Sequence, residues 1–392
     1  MKRRSFIQNS LIVSGSLWVP GFIKKHHAPI ASQKKLVVIQ LSGGNDGLNT
    51  WVPHGNDTYY ALRPSLAVSP HEVLKLNDEM GLNPEMEALR SLFDQGYLLV
   101  FNQVGYPNAE RSHFRAMDIW HTGSNADEYW QTGWLGRYLD SACQGGKKIH
   151  HVIELDDSLS LSVKGENAKA LAMQNPQKLY RQVQGERVQE LLSHTPSSHA
   201  SLEYMYKTLT QTVESAEYVH DQLKTKRSTI TYPATAFGKQ LRTIAELIQA
   251  GLDTQVYYLS LSGFDTHVRQ GPQQARLLKQ YSEAVVAFVE DLSDQNQFED
   301  TLILTFSEFG RRVAQNASGG TDHGKANSSW LIGKNLKQTG FFGGSPDLQS
   351  LDEGDLGFKT DFRQIYASLL ENWLEVEAEA VLKREFAPLP IL

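Results

Sequence analysis

The chain has 392 residues, with 38 Lys and Arg against 44 Asp and Glu, a formal charge of −6. That balance excludes a nucleic-acid binder gripping phosphates through a basic face, and 40% hydrophobic with 21% charged residues excludes a largely disordered chain. A single cysteine, Cys143, excludes an intrachain disulfide framework and a Cys-rich zinc site, whereas 13 His leave room for metal sites built from imidazole and carboxylate.

The start, Met1-Lys2-Arg3-Arg4-Ser5-Phe6-Ile7-Gln8, is basic and gives way to a modestly apolar stretch rich in Ser and Gly, Ser10 to Val19. This is the layout of an export signal. Arg3-Arg4, one spacer and Phe6-Ile7 resemble the twin-arginine form, from whose commonest version Lys2 and Gln8 depart. Residues 1–32 are therefore expected to be a signal segment that engages the twin-arginine export machinery, making the protein periplasmic or otherwise exported. No apolar run reaches the ~18 residues of a membrane span, so no stable span is expected after cleavage. A lone cysteine suits a protein folded before export, whose stability does not depend on an oxidising compartment.

The mature domain, 33–392, opens with Lys34–Leu41, a β-branched run that reads as a buried parallel strand. Further strands are expected at Gly96–Asn102, Gln255–Leu261 and Thr301–Phe306, and helices at Pro84–Phe93, Ala234–Ala250, Gln274–Asp291 and Phe362–Leu374. This alternation predicts an α/β fold, a doubly wound and mostly parallel sheet with helices on both faces. The polar region about 164–228 carries Leu202, Met205, Leu209 and Val213 at helical spacing, which predicts an inserted helical cap. His150-His151 reads as a solvated turn, and Trp134 either packs a helix or lines a pocket.

Asp46, Asp265 and Glu308 each follow a strand end within a few residues, and in such sheets ligands gather at the carboxyl ends of the strands. Asp46, in Gly43-Gly44-Asn45-Asp46-Gly47, suits a divalent cation or simply a turn, and the segment lacks a nucleotide-binding fingerprint. Ser112 heads a helix with Arg115. Serine there commonly caps, but the helix N-terminus also favours an anion that Arg111 and Arg115 could grip. A metal above Ser112 could activate its hydroxyl. Asp265-Thr266-His267 offers oxygen and nitrogen ligands, and Glu308 with His323 of Thr321-Asp322-His323-Gly324 would complete a two-metal cluster. Arg311 and Arg312 have the plainer use of pairing with surface acids.

In chain order, Leu41–Asn49, Ser112-His113-Phe114, Thr132–Arg137, Gly263–His267, Ser307–Arg311, Thr321–Gly324 and Thr360–Arg363 resemble the bacterial exported domain-of-unknown-function 1501 family. That family is similar to the alkaline phosphatase/sulfatase superfamily. The resemblance implies two divalent ions (Zn, Mg, Mn or Ca) above the sheet. It places Asp46 and Glu308 at one ion with Ser112 as nucleophile, and Asp265, His267 and His323 at the other. Ser112 would attack a phosphoryl group, and hydrolysis of the resulting ester would follow. Three departures stand out. Asp265 and His267 are two positions apart where alkaline phosphatases and phosphomutases separate Asp and His by a helical turn. Glu308-Phe309 occupies the place of a second Asp-His pair, for which Asp322-His323 is the alternative. Phe114 stands where oxidised-cysteine sulfatases need Pro, against ordinary sulfatase chemistry. The expected protein is an exported metal-dependent hydrolase of small or polymeric phosphate, sulfate or phosphonate esters. The alternative is a non-catalytic exported binding or assembly protein with the same fold.

Overall fold

The computed structural model describes residues 34–142, 149–167, 170–193, 200–224 and 226–392. The expected signal segment 1–32 and Cys143 lie outside them. The first strand, β1 (Lys35–Ser42), is buried along nearly its whole length. Its side chains alternate between two cores: Val37, Ile39 and Leu41 face one, Leu36 and Val38 the other. A strand buried on both faces needs this continuous apolar run rather than an apolar/polar alternation.

The sheet continues with β2 (Leu98–Gly105), β3 (Val152–Glu154), β4 (Leu171–Ala172), β5 (Val256–Ser262), β6 (Thr301–Phe306), β7 (Asn327–Ile332), β8 (Gly340–Phe342) and β9 (Thr360–Asp361). Its spatial order is β8-β2-β7-β6-β1-β5-β3-β4, with β9 also paired to β2. β1 is parallel to both β5 and β6, and β7 is antiparallel to both β6 and β2. The sheet is therefore mostly parallel with one reversed strand.

The helices are α1 (Gly47–Thr50), α2 (Asp57–Leu62), α3 (Glu87–Asp94), α4 (His113–Thr122), α5 (Trp134–Ala142), α6 (Pro176–Val183), α7 (Glu186–Ser193), α8 (Ala200–Leu223), α9 (Ala236–Gln249), α10 (Gln270–Asp294), α11 (Phe362–Asn372) and α12 (Ala378–Leu382). Leu89 of α3, Leu241 and Ile244 of α9, and Leu278 and Val285 of α10 fill one core. Ile119 and Trp120 of α4, Leu135 of α5, Leu369 of α11 and Leu382 of α12 fill the other. Both faces are thus covered by helices. Trp134 packs, stacked on Tyr366 at 4.2 Å. No helix among the described residues is long and apolar enough to cross a membrane.

Several local expectations change. Pro84–Met86 forms a 3-10 turn before α3, Pro84 supplying the fixed φ of a helix start. The expected stripe on α8 is divided: Val213 is buried, but Leu202 and Met205 are exposed, and Ala216 and Val219 carry the packing. His150 is not a solvated turn, since it is 1% exposed in the short 3-10 segment Ile149–His151.

Strand direction places the site. β1, β5, β6 and β2 point the same way, so the loops after Ser42, Ser262, Phe306 and Gly105 leave from one edge. Because β7 runs back, the connection 307–326 stays at that edge too. The loops pack tightly: a Cβ on Gly43, whose φ is +120°, would lie 2.4 Å from the Asp265 backbone nitrogen. Only glycine permits that φ and that approach.

Candidate metal centre

Glu308 follows β6 and is fully buried. Its Oε1 accepts from the Gly43 backbone N–H at 2.8 Å, and its Oε2 from the Ser307 hydroxyl at 3.2 Å. His113, the first residue of α4, places Nδ1 2.9 Å from the same Oε1. This hydrogen bond is the main cause holding the His113 pKa above its usual value, against partial burial. It also fixes the ring, as a carboxylate behind a metal-binding imidazole does. The far nitrogen, Nε2, is buried, makes no hydrogen bond, and lies 3.5 Å from Asp265 Oδ2.

Asp265, after β5, is the convergence point. Its Oδ1 is 2.9 Å from Arg311, 3.1 Å from His267 Nε2 and 3.2 Å from His323 Nε2. Burial pushes its pKa up, but hydrogen bonds from Arg311 and His323 and the Arg311 charge outweigh it, leaving a value of about 2. The His267 and His323 Nε2 atoms are 2.9 Å apart, so at most one carries a proton. His323 Nδ1 lies 2.8 Å from the Arg111 carbonyl, to which it donates, and burial lowers the ring's pKa. Donation from Nδ1 to that carbonyl fixes the ring and leaves Nε2 as the nitrogen that faces Asp265. One donor atom each from His113, Asp265 and His323 lies within 4.8 Å of the others. Two imidazoles and a carboxylate fit a divalent ion of zinc type, and the unsatisfied His113 nitrogen is what such an ion would satisfy.

Arg311 holds the loops around this cluster. Its buried guanidinium donates to the carbonyls of Gly43, Gly44 (2.6 Å), Phe264 (2.9 Å) and Thr321 (3.0 Å). The acid it pairs with is Asp265 of the cluster itself, at 2.9 Å. Arg312 pairs with Asp355 at 3.2 Å, and Arg111 pairs with the same carboxylate, which burial pushes upward in pKa.

Of the residues expected at the site, Glu308, Asp265, His267 and His323 come together. Asp46 faces elsewhere: Oδ1 caps α1 through the Leu48 (3.2 Å) and Asn49 (3.4 Å) N–H groups, and Oδ2 pairs with Arg63 at 2.6 Å and accepts from Gln270. Arg115 donates to the carbonyls of Asn125 (3.1 Å), Ala126 (2.8 Å) and Glu128 and lies 3.9 Å over the Tyr129 ring. Ser112 sits at the N-cap of α4, exposed, and makes no side-chain capping bond. His113 was not singled out from the sequence, although it lies inside a quoted motif, at the start of the helix that follows β2. A cavity of about 360 Å³, lined by none of the cluster residues, is bounded by Tyr106, Ala109, Lys325 and Phe358 among others.

Fold and cluster together define an α/β protein with a His- and carboxylate-built centre at the carboxyl edge of its sheet. The chain belongs to the family described as "Protein of unknown function (DUF1501)", whose model matches residues 33–354. No curated protein matches it. Among solved structures it is similar to the C-terminal periplasmic domain of EcEptC from Escherichia coli in complex with Zn, at 12% identity over 77% of this chain and 73% of that one, TM-score 0.39. It is also similar to the lipoteichoic acid synthase LtaP from Listeria monocytogenes, at 11% identity over 79% and 68%, TM-score 0.36. A third is a protein in the alkaline phosphatase superfamily from Vibrio parahaemolyticus, at 10% identity over 90% and 70%, TM-score 0.39. Likenesses this distant carry no argument about chemistry.

Proposed function

We propose that this protein is an exported, metal-dependent hydrolase of phosphate or related esters, with a divalent ion held by His113, Asp265 and His323. The observation that carries the reading is the buried His113 Nε2, without a hydrogen bond, aimed at an ionised Asp265. His267 is the next available nitrogen, and Glu308 orients His113. A bound divalent ion supplies Lewis acidity there, drawing charge from an ester oxygen and lowering the pKa of a nearby hydroxyl. The residues do the rest. Ser112, exposed, uncapped and adjacent to His113, is the nucleophile. Arg311 keeps the three loops in register, and Lys325, two residues after His323, lines the cavity assigned to the remainder of the ester. Asp46 and Arg115 join this machinery only by giving up Arg63 and the 125–128 carbonyls, so they are assigned to the scaffold.

The test is metal analysis coupled to turnover on phosphate, phosphonate and sulfate esters. Ser112→Ala is expected to keep the metal and lose turnover by about a thousandfold or more, and His323→Ala to lose both. Unchanged turnover in Ser112→Ala removes the nucleophile assignment. The rival reading, a non-catalytic exported binding or assembly protein, draws on the Asp46–Arg63 pair, which withdraws a carboxylate from a second ion. It predicts metal without turnover on any ester.

A further inference from the structure

A second cluster lies at the opposite edge of the sheet. His150 and His151 directly precede β3, and Asp253 precedes β5, its parallel neighbour. The two segments are joined by backbone: the Thr254 hydroxyl donates to the His150 carbonyl at 2.6 Å, and the Gln255 N–H to the His151 carbonyl at 2.9 Å. His150 Nε2 is 2.9 Å from Asp253 Oδ1, and His151 Nε2 is 3.4 Å from Asp253 Oδ2.

We propose that His150, His151 and Asp253 form a structural site for a zinc-type divalent ion, separate from the centre at the carboxyl edge. The side chain of His150 is 1% exposed, and its Nε2, despite the close carboxylate, makes no hydrogen bond. Ligand atoms bound tetrahedrally at ~2.0–2.1 Å lie about 3.3 Å from one another, the spacing of this cluster. The other His150 nitrogen, Nδ1, lies 3.1 Å from the Ser215 hydroxyl. Donation from Nδ1–H to that oxygen leaves a lone pair on Nε2, the tautomer a metal needs. Tyr218 stacks on the same ring at 4.6 Å. Lys35 donates to the Leu252 carbonyl, next to Asp253, at 3.3 Å. Ser215 and Tyr218 belong to α8, so an ion here ties the long helix of the 164–228 region to the edge of the sheet.

The test uses the full chain, stripped with chelator and titrated with zinc alone. His323→Ala protein, disabled at the carboxyl-edge centre, is expected to retain one tight equivalent and to melt higher with zinc than without. The His150→Gln/His151→Gln double variant is expected to lose that equivalent and the shift. Equal zinc uptake by wild type and the double variant overturns the proposal, as does a His323→Ala protein that takes up no zinc. Should the double variant fail to fold, Asp253→Asn is read in the same way. An inert carboxyl-edge centre leaves wild type and His323→Ala equal in zinc and does not alter this readout.

Discussion

Asp46 and Asp265 leave neighbouring strands at the same edge of one sheet, each in a loop with glycine before it, and their surroundings differ. Asp46 is 2% exposed and meets a guanidinium that is itself fully buried. Asp265 is half exposed and meets two imidazoles, with a third ring nitrogen nearby. Glu154, the last residue of β3, gives a third case at this edge. It is buried beside the Ser160 N–H at 2.7 Å, and burial pushes its pKa up to about 7. Equivalent positions on a parallel sheet thus become a structural ion pair, a candidate metal ligand and a carboxyl that resists ionisation. What decides is the donor set the rest of the chain brings, because a buried carboxylate must be neutralised, bonded or protonated.

The largest effect expected from breaking this comparison is at the buried pair. Arg63→Ala leaves Asp46 buried without its cation and is expected to destabilise the fold by about 3–5 kcal/mol, read by denaturant unfolding. Asp46→Asn is expected to destabilise with metal content unchanged, and Asp265→Asn to reverse that pattern. A common phenotype for the two variants would erase the distinction.

Glu154 gives a pH-dependent effect of somewhat smaller size. Its folded pKa lies above the ordinary carboxyl value, so its stabilisation is full below about 4.5 and is lost as the pH rises through about 7. Glu154→Gln is expected to remove roughly 3 kcal/mol of the stability lost between these limits. Urea unfolding of wild type and variant at pH 4.5 and 8 measures it.

Glu308→Gln probes orientation at Asp265's side of the comparison. Weakening the carboxylate behind His113 is expected to reduce zinc affinity roughly 10–100-fold, measured by competition with a chromogenic chelator. The smallest effect is at Arg115. Its replacement by Ala removes carbonyl contacts and the guanidinium over the Tyr129 ring, which is expected to cost roughly 1–2 kcal/mol. Inhibition of any ester turnover by inorganic phosphate is expected to stay unchanged, and a marked weakening would return Arg115 to the anion site.

The strands that lead to Asp46, Asp265 and Glu308 were legible because a doubly buried strand needs a near-continuous apolar run, and Leu36–Leu41, Val256–Leu261 and Leu302–Phe306 each supply one broken by a single polar residue, Gln40, Ser260 and Thr305. β7 was not, since it begins Asn327-Ser328-Ser329. Of those polar groups, Asn327 donates to the Phe309 carbonyl at 2.8 Å and the Ser328 hydroxyl to Asn102 Oδ1 at 3.4 Å. The His150–His151 segment misled for the same reason, its polarity suggesting water where the fold supplies Asp253 and Ser215. The reversed β7 is nevertheless what returns the Gly-rich loop, and His323 with it, to the edge that holds Asp265.

By itself, the sequence determined the alternating α/β architecture, the glycine-rich exits from the strands, and the acids and histidines that follow them, all properties of local pattern. Only the tertiary structure decided which acid receives which neighbour. Arg311, His113 and Asp253 reach their partners across long stretches of chain, as Arg63 does to the Arg312 and Val313 carbonyls, and no local signal encodes a pairing that exists only once the strands stand side by side.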